Sequence, residues 1–522
     1  MTTVESFQAV AAIGAAAGVL GLLIPARGRT SAGARIAGAL AMTIASWLLL
    51  VGSLVSRSDL TRLTDRLDSP ARLGAATVAV IVVLAVTVVL ARLCIRRPVV
   101  WLVLVAVALP IRIPVSLGSD RGGNLLLPLY WVIVIGIVAW VWGRARGTLR
   151  DAIDRRSALD IPIAAFTAFS LVSIWWSADM QEGTVKAVFF YIPFVILYRL
   201  VVNWWPLATR PMRAVVFTTL GMAVAVAAVA VGQFATRTIW WNDTLKQGNV
   251  YNRFFRANGI FYDPNILGRY LMLALVVTAA YAVIANRSRQ LAVLGLVAGV
   301  VAAGVVVTFS RSSALGLMVA VTLLAFRAFG WRRTLLVGAS ALVLVGGPAI
   351  AFNANVRDKA TSLERLASTG EGRLRLVDGG IELWKTAPVA GVGLGAFSQE
   401  YRSTVPRKEA VKTRVFISHT APVTTLAELG VIGFALFLVL LGVGTTVLWR
   451  GSRQTPGEGG WAQWTIMAIL VAIVVHSLLY SALFEDPYVW TLAAIGVALG
   501  AAQTAEARQA THTLPAVAAT TS

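Results

Sequence analysis

Residues 73–95 read LGAATVAVIVVLAVTVVLARLCI, 23 residues in which Arg92 is the single charge. A helix that crosses a membrane needs about 20 apolar residues, because the hydrocarbon core is roughly 30 Å thick and each residue rises about 1.5 Å. Similar runs recur near 8–25, 32–55, 98–114, 125–143, 160–176, 187–204, 212–234, 265–285, 290–309, 312–330, 333–352, 422–449, 462–484 and 487–505. A transmembrane barrel would instead show alternating segments about ten residues long. The pattern predicts an all-α, polytopic membrane protein with about 14–15 transmembrane helices.

Composition agrees. Of the 522 residues 57% are hydrophobic and 13% charged, and the mean hydropathy is +0.76. An ordinary soluble domain carries about 25% charged residues. A soluble enzyme, a disordered chain and a disulfide scaffold are thereby excluded. The net charge of +22 is spread thinly between apolar runs, unlike the dense basic surface of a nucleic-acid binder, so no nucleic-acid partner is expected. A single cysteine, Cys94, rules out an internal disulfide, and the histidines His419, His476 and His512 are far apart. Neither a metal site nor a cofactor is expected. The opening residues lack the basic start of a cleavable signal peptide, and the first apolar run reads as the first span.

Basic residues set the orientation. Alternate short loops are Arg-rich, as at Arg144, Arg146, Arg150, Arg155 and Arg156, and the short loops between them are poorer. The Arg-rich side reads as cytoplasmic, with the N-terminus outside, the C-terminus inside and the chain in the cell membrane. The expected organisation is N-terminal spans over 1–234, a long outer loop over 235–264 and core spans over 265–352. A large outer loop follows over 353–420, then C-terminal spans over 421–505 and a disordered cytoplasmic tail over 506–522. The remaining basic residues gather in the two long outer loops, which suggests an anionic ligand at the outer face.

Three polar clusters sit on that side. In Arg256-Ala257-Asn258-Gly259-Ile260-Phe261-Tyr262-Asp263-Pro264-Asn265, Asp263 reads as a helix cap and Pro264 suits the first turn. Arg256, with Arg269 in the span that follows, is a candidate to face a polar cavity. Ser310-Arg311-Ser312-Ser313 lies between two apolar runs, where an arginine either snorkels to the interface or serves function. In the large loop, Gly372-Arg373-Leu374-Arg375-Leu376 opens a helical stretch through Trp384, followed by Pro388 and Gly391-Val392-Gly393-Leu394-Gly395. These glycines follow a helix rather than a strand and lack nucleotide-binding spacing; they read as turn or close-packing residues. His419 stands at the loop's end, and an imidazole can take a proton from a sugar hydroxyl near neutral pH. His476, inside a span, reads as a hydrogen-bonded core residue.

The stretch from about Arg256 to Gly430 resembles the O-antigen ligase and polymerase superfamily of membrane glycosyltransferases. The matching pieces are Arg256 to Gly259 with Pro264-Asn265, Arg311-x-x-x-Leu315, Gly372-Arg373, Pro388 with Gly391 to Phe397, and His419 ten residues before Gly430. The chain departs from many members at Thr420, where they carry Asn. The resemblance implies a fold like that of the polyprenyl-phosphate-dependent transferases. It also implies metal-independent transfer of a glycan from a polyprenyl pyrophosphate to a glycan or glycolipid acceptor outside, among membrane lipids. By the same resemblance His419, Arg311 and Arg373 are the catalytic residues, the arginines holding the pyrophosphate, and Arg256, Arg269 and Arg375 bind substrate. A polymerase using a growing lipid-linked chain as acceptor shares this chemistry. A secondary transporter or lipid flippase is the alternative from another class, disfavoured by the absence of visible repeats and of acidic relays in the spans.

Overall fold

The computed structural model describes residues 3–25, 29–54, 61, 69–117, 121–148, 156–251, 254–341, 371–404, 420–455, 457–480 and 482–513. The first half contains α1 (Thr3–Leu23), α2 (Arg29–Leu49), α3 (Pro70–Arg96), α4 (Pro98–Ala108), a hairpin of β1 (Ile113–Leu117) and β2 (Arg121–Leu125), α5 (Leu127–Ala145) and α6 (Asp160–Val172). Next come α7 (Met180–Leu207), α8 (Pro211–Thr236), α9 (Asp243–Tyr251), α10 (Pro264–Ile284), α11 (Ser288–Val306), α12 (Arg311–Phe329) and α13 (Trp331–Ala341). The chain closes with α14 (Glu371–Thr386), α15 (Phe397–Thr404), α16 (Ala421–Gln454), α17 (Gly457–Ser477) and α18 (Pro487–Thr513).

Eleven of the described helices are long and apolar enough to cross a membrane, with shorter apolar helices at Pro98–Ala108, Asp160–Trp176 and Pro487–Ala501. The protein is a multi-pass, all-α membrane protein. Its centre is α7, in which every residue from Ile192 to Trp204 is buried, with α18 packed along it. Outer helices such as α3 turn long rows of Val and Ile outward, from Val78 to Leu84. Exposed apolar rows of that kind suit lipid rather than water.

Several expectations are revised. The predicted span 98–114 is helical only as α4, whose 11 residues reach about 16 Å, half a membrane. Pro110 has no N–H with which to continue the helical ladder, and the chain then enters a hairpin in which Ile113 pairs with Leu125 and Leu117 with Arg121. The long loop 235–264 contains a helix, α9. The expected tail from 506 is helical through Thr513, because α18 continues past Ala505. Of the predicted span 333–352, residues 342–352 lie outside the described residues, as do 353–370 and 405–419 of the large loop.

The long helix α16 is broken. Gly430 has φ 63 and ψ −166 inside it, a conformation that side chains rarely adopt. The segment after α14 crosses the chain at the break. Backbone amides of Val392 and Gly393 donate to the carbonyls of Ala427 (3.1 Å) and Glu428 (2.8 Å), and those of Val431 and Ile432 donate to Pro388 (2.9 Å) and Val389 (3.2 Å). The crossing segment thus satisfies backbone groups freed by the break, as buried backbone requires. Contact is so close that a Cβ on Gly430 would strike the Val389 carbonyl, and one on Gly391 the Glu428 carbonyl. Beyond them Leu394 is fastened to the turn between α6 and α7: its amide donates to Ser173 Oγ (3.1 Å), and its carbonyl accepts from Ser177 Oγ (2.9 Å). The glycines of the large loop are close-packing residues.

Candidate active site beside the broken helix

Three chain segments meet at the end of the bundle where α10 and α12 begin and α17 ends. The first is the loop into α10. Asp263 caps the helix by accepting from the Asn265 amide (2.6 Å), with Pro264 in the first turn. Arg256 donates from Nε to the Thr308 carbonyl (2.9 Å) and from Nη2 to Asn265 Oδ1 (3.1 Å). It therefore fastens the loop before α10 to the turn before α12.

That turn is strained. Phe309 holds φ 48, a rare conformation for a bulky residue, and its ring stacks on Phe254 with centroids 5.0 Å apart. Ser310 follows as the cap of α12, its hydroxyl accepting from the Ser313 amide. Arg311 occupies the first helical position, exposed. The helix start there presents backbone N–H groups, an environment that favours anions.

Beneath the surface runs a chain of hydrogen bonds. Ser310 Oγ bonds Asn265 Oδ1 (2.9 Å) and lies 3.2 Å from Ser312 Oγ. Ser312 Oγ lies 3.0 Å from His476 Nε2, and His476 Nδ1 lies 2.9 Å from Arg269 Nη2. Arg269 Nη1 reaches Asp486 Oδ2 (2.8 Å) and the Ala482 carbonyl (2.6 Å). A guanidinium can only donate, so Nδ1 is an acceptor and the ring proton sits on Nε2, donated to Ser312. Arg269 is buried and engaged within the protein, whereas Arg311 is exposed. His476 is the hydrogen-bonded core residue expected, and it also links Arg269 to the serines flanking Arg311.

A second buried cluster lies beside the helix break. Lys186 Nζ is 2.9 and 3.0 Å from the two carboxylate oxygens of Glu428, two residues before Gly430. Glu485, in the turn between α17 and α18, interacts with both charges. Burial pushes its carboxyl above the usual carboxylate range, and Lys186 opposes that rise. Among the described residues no group of three or more His, Cys, Asp or Glu could hold a metal ion.

Arg373 and Arg375 lie near the start of α14, and the same helix packs through Leu376 and Leu383 against Phe397, Tyr401 and Ala427 of α15 and α16. His419 lies outside the described residues. The fold therefore brings Arg256, Arg269 and Arg311 to one end of the bundle, and seats the helix carrying Arg373 and Arg375 on the N-terminal half of α16. Sequence reasoning did not single out Lys186, Glu428, Glu485 or Asp486 as a site. Their one signal was charge next to or inside apolar runs.

Residues 296–438 match the family model described as O-antigen ligase. The match begins in α11 and ends just past the break in α16, so it spans the Arg311 turn, α14 and the crossing glycines. A comparison with curated proteins gives no match. Among solved structures, a chain from a peptidoglycan synthase complex is similar at 18% identity, covering 66% of this chain and 96% of that one with a TM-score of 0.41. The family match supports membership of the O-antigen ligase superfamily and a glycosyltransferase-like, cell-envelope glycan ligase or polymerase type of function.

Proposed function

We propose that this member of the O-antigen ligase superfamily transfers a glycan from a polyprenyl pyrophosphate to an acceptor hydroxyl at the outer face of the cell membrane. The observation that carries the reading is the exposed Arg311 at the start of α12, held by a buried hydrogen-bond chain that also fastens Arg256. Arginine suits this task because its planar fork donates in pairs and stays charged.

The acceptor oxygen attacks the anomeric carbon, and the bond from that carbon to the pyrophosphate oxygen breaks. The pyrophosphate leaves with the electron pair, and the hydroxyl proton passes to His419 as general base. Arg311 and Arg373 neutralise the charge that grows on the leaving group, so the step proceeds without a metal. Arg256 and Arg375 bind the donor's anionic part, and Arg269 supports Arg311 from beneath through His476 and Ser312. The site end faces outside and the C-terminus lies in the cytoplasm, which agrees with the distribution of basic residues in the short loops.

The test is transfer by the reconstituted protein from a polyprenyl-pyrophosphate glycan, with and without a chelator. Arg311→Ala, Arg373→Ala and His419→Ala are each expected to lower turnover by about 100-fold or more, the scale for losing a group that stabilises transition-state charge or moves a proton. Chelation is expected to leave the wild-type rate unchanged. Normal turnover in all three folded variants would overturn the reading.

A further inference from the structure

One cation at this end of the bundle has no assigned task. Arg112 leaves α4 just after Pro110, in the first third of the chain and outside the region matched by the family model. Its Nε is buried without a hydrogen-bond partner, and among the described residues its guanidinium has no ion pair. Its Cζ lies 5.7 Å from the ring centroid of Phe261, within the loop that carries Arg256. Arg112 also acts electrostatically on Tyr480, whose ring lies 5.4 Å from Arg269 Cζ and whose hydroxyl reaches Asp263 (3.4 Å).

The contrast with Arg269 is informative. Both arginines act on Tyr480, but Arg269 is consumed by Asp486, His476 and the Ala482 carbonyl. Arg112 meets the face of Phe261 instead. A cation gains from a ring face, yet the ring leaves the in-plane Nε–H unbonded, and a buried unpaired donor carries a desolvation cost. Such a cost persists where a ligand supplies the missing acceptor. Planar, paired acceptors on an anion are what the guanidinium fork fits.

We propose that Arg112 is a further anion-binding residue of this site, donating to a phosphate of the lipid-linked pyrophosphate from the N-terminal part of the chain. The inference rests on the function proposed above and adds to it a residue outside the family's motifs. It gives α4 and the turn after it a purpose: a helix too short to cross the membrane delivers a cation to the mouth of the bundle.

The test uses the full chain in detergent and glycan-free polyprenyl pyrophosphate as probe, with Arg112→Gln and Arg112→Lys as variants. Arg112→Gln is expected to weaken binding by about tenfold or more, the range for losing a hydrogen bond to a charged group. Arg112→Lys should fall between, keeping the charge without the fork. The ligand-free melting temperature of Arg112→Gln should lie close to wild type, because losing the Phe261 ring contact is offset by removing a buried donor that has no partner. Equal affinity in wild type and Arg112→Gln, or a lowered ligand-free melting temperature in that variant, overturns the inference while leaving the transferase reading intact. Failure of the wild type to bind the probe overturns the transferase reading itself.

Discussion

Removing Lys186 should damage this protein more than removing Glu428, although the two form one ion pair. Lys186 Nζ contacts both oxygens of Glu428 at 2.9 and 3.0 Å, with the side chains 14% and 4% exposed. Breaking a buried pair by deleting one partner costs about 3–5 kcal/mol, because the other charge is left uncompensated. Here the two deletions differ. Lys186→Met strands Glu428 beside Glu485, which senses both groups, so the full cost applies. Glu428→Gln leaves Lys186 with Glu485 as a remaining counter-charge and an amide oxygen to donate to. Its cost should be nearer 1–2 kcal/mol, the range for a weakened hydrogen bond to a charged group. The double variant should be more stable than Lys186→Met alone, since the stranded Glu428 charge is gone. Thermal denaturation in detergent, followed by tryptophan fluorescence, reads the order directly. Equal losses in the single variants, or a double variant whose loss is the sum of both, would refute the reasoning. Because the Glu428 carbonyl also receives the Gly393 amide (2.8 Å), Lys186→Met should lower transfer activity too.

Three further outcomes are expected. Gly430→Ala should cost about 1–3 kcal/mol from its positive-φ backbone alone, and the collision with Val389 adds to this; a melting temperature equal to wild type would contradict the crossing geometry. His476→Ala should leave Arg269 Nε and Nη2 without their acceptor and remove the ring donor to Ser312, lowering turnover more than it raises KM; an unchanged turnover number would separate the hydrogen-bond chain from Arg311. Glu485, raised above its ordinary value of 4.5 by burial, contributes stability that is complete below the unfolded value and is lost as pH rises through the folded one. Glu485→Gln should therefore melt above wild type near pH 8 and converge with it in acid, which melting curves across that range will show.

Much of this architecture follows from local sequence. Long apolar runs become helices because a backbone in hydrocarbon must satisfy its own hydrogen bonds. Asp263-Pro264 starts α10 and Ser310 caps α12, since capping is a matter of adjacent residues. Arg311 and the crossing glycines were legible as points of interest for the same reason. Where a proline or a glycine acts against the hydropathy pattern, the pattern misleads: α4 stops short before Pro110, and α16 breaks at Gly430.

Partnership was decided by the tertiary structure. Arg256, Arg269 and Arg311 look alike along the chain, all basic residues at the edge of apolar runs. In the fold Arg269 meets Asp486 and His476, 217 and 207 residues away, Arg256 ties two loops together, and Arg311 is left at the surface. Gly391 is informative only once Gly430 lies against it, and Lys186 only once Glu428 does, 242 residues later. The energy of a charge in a membrane depends on what stands within a few ångströms of it. Sequence spacing carries no such distance, so it marked the cations of this protein while the packing assigned them their tasks.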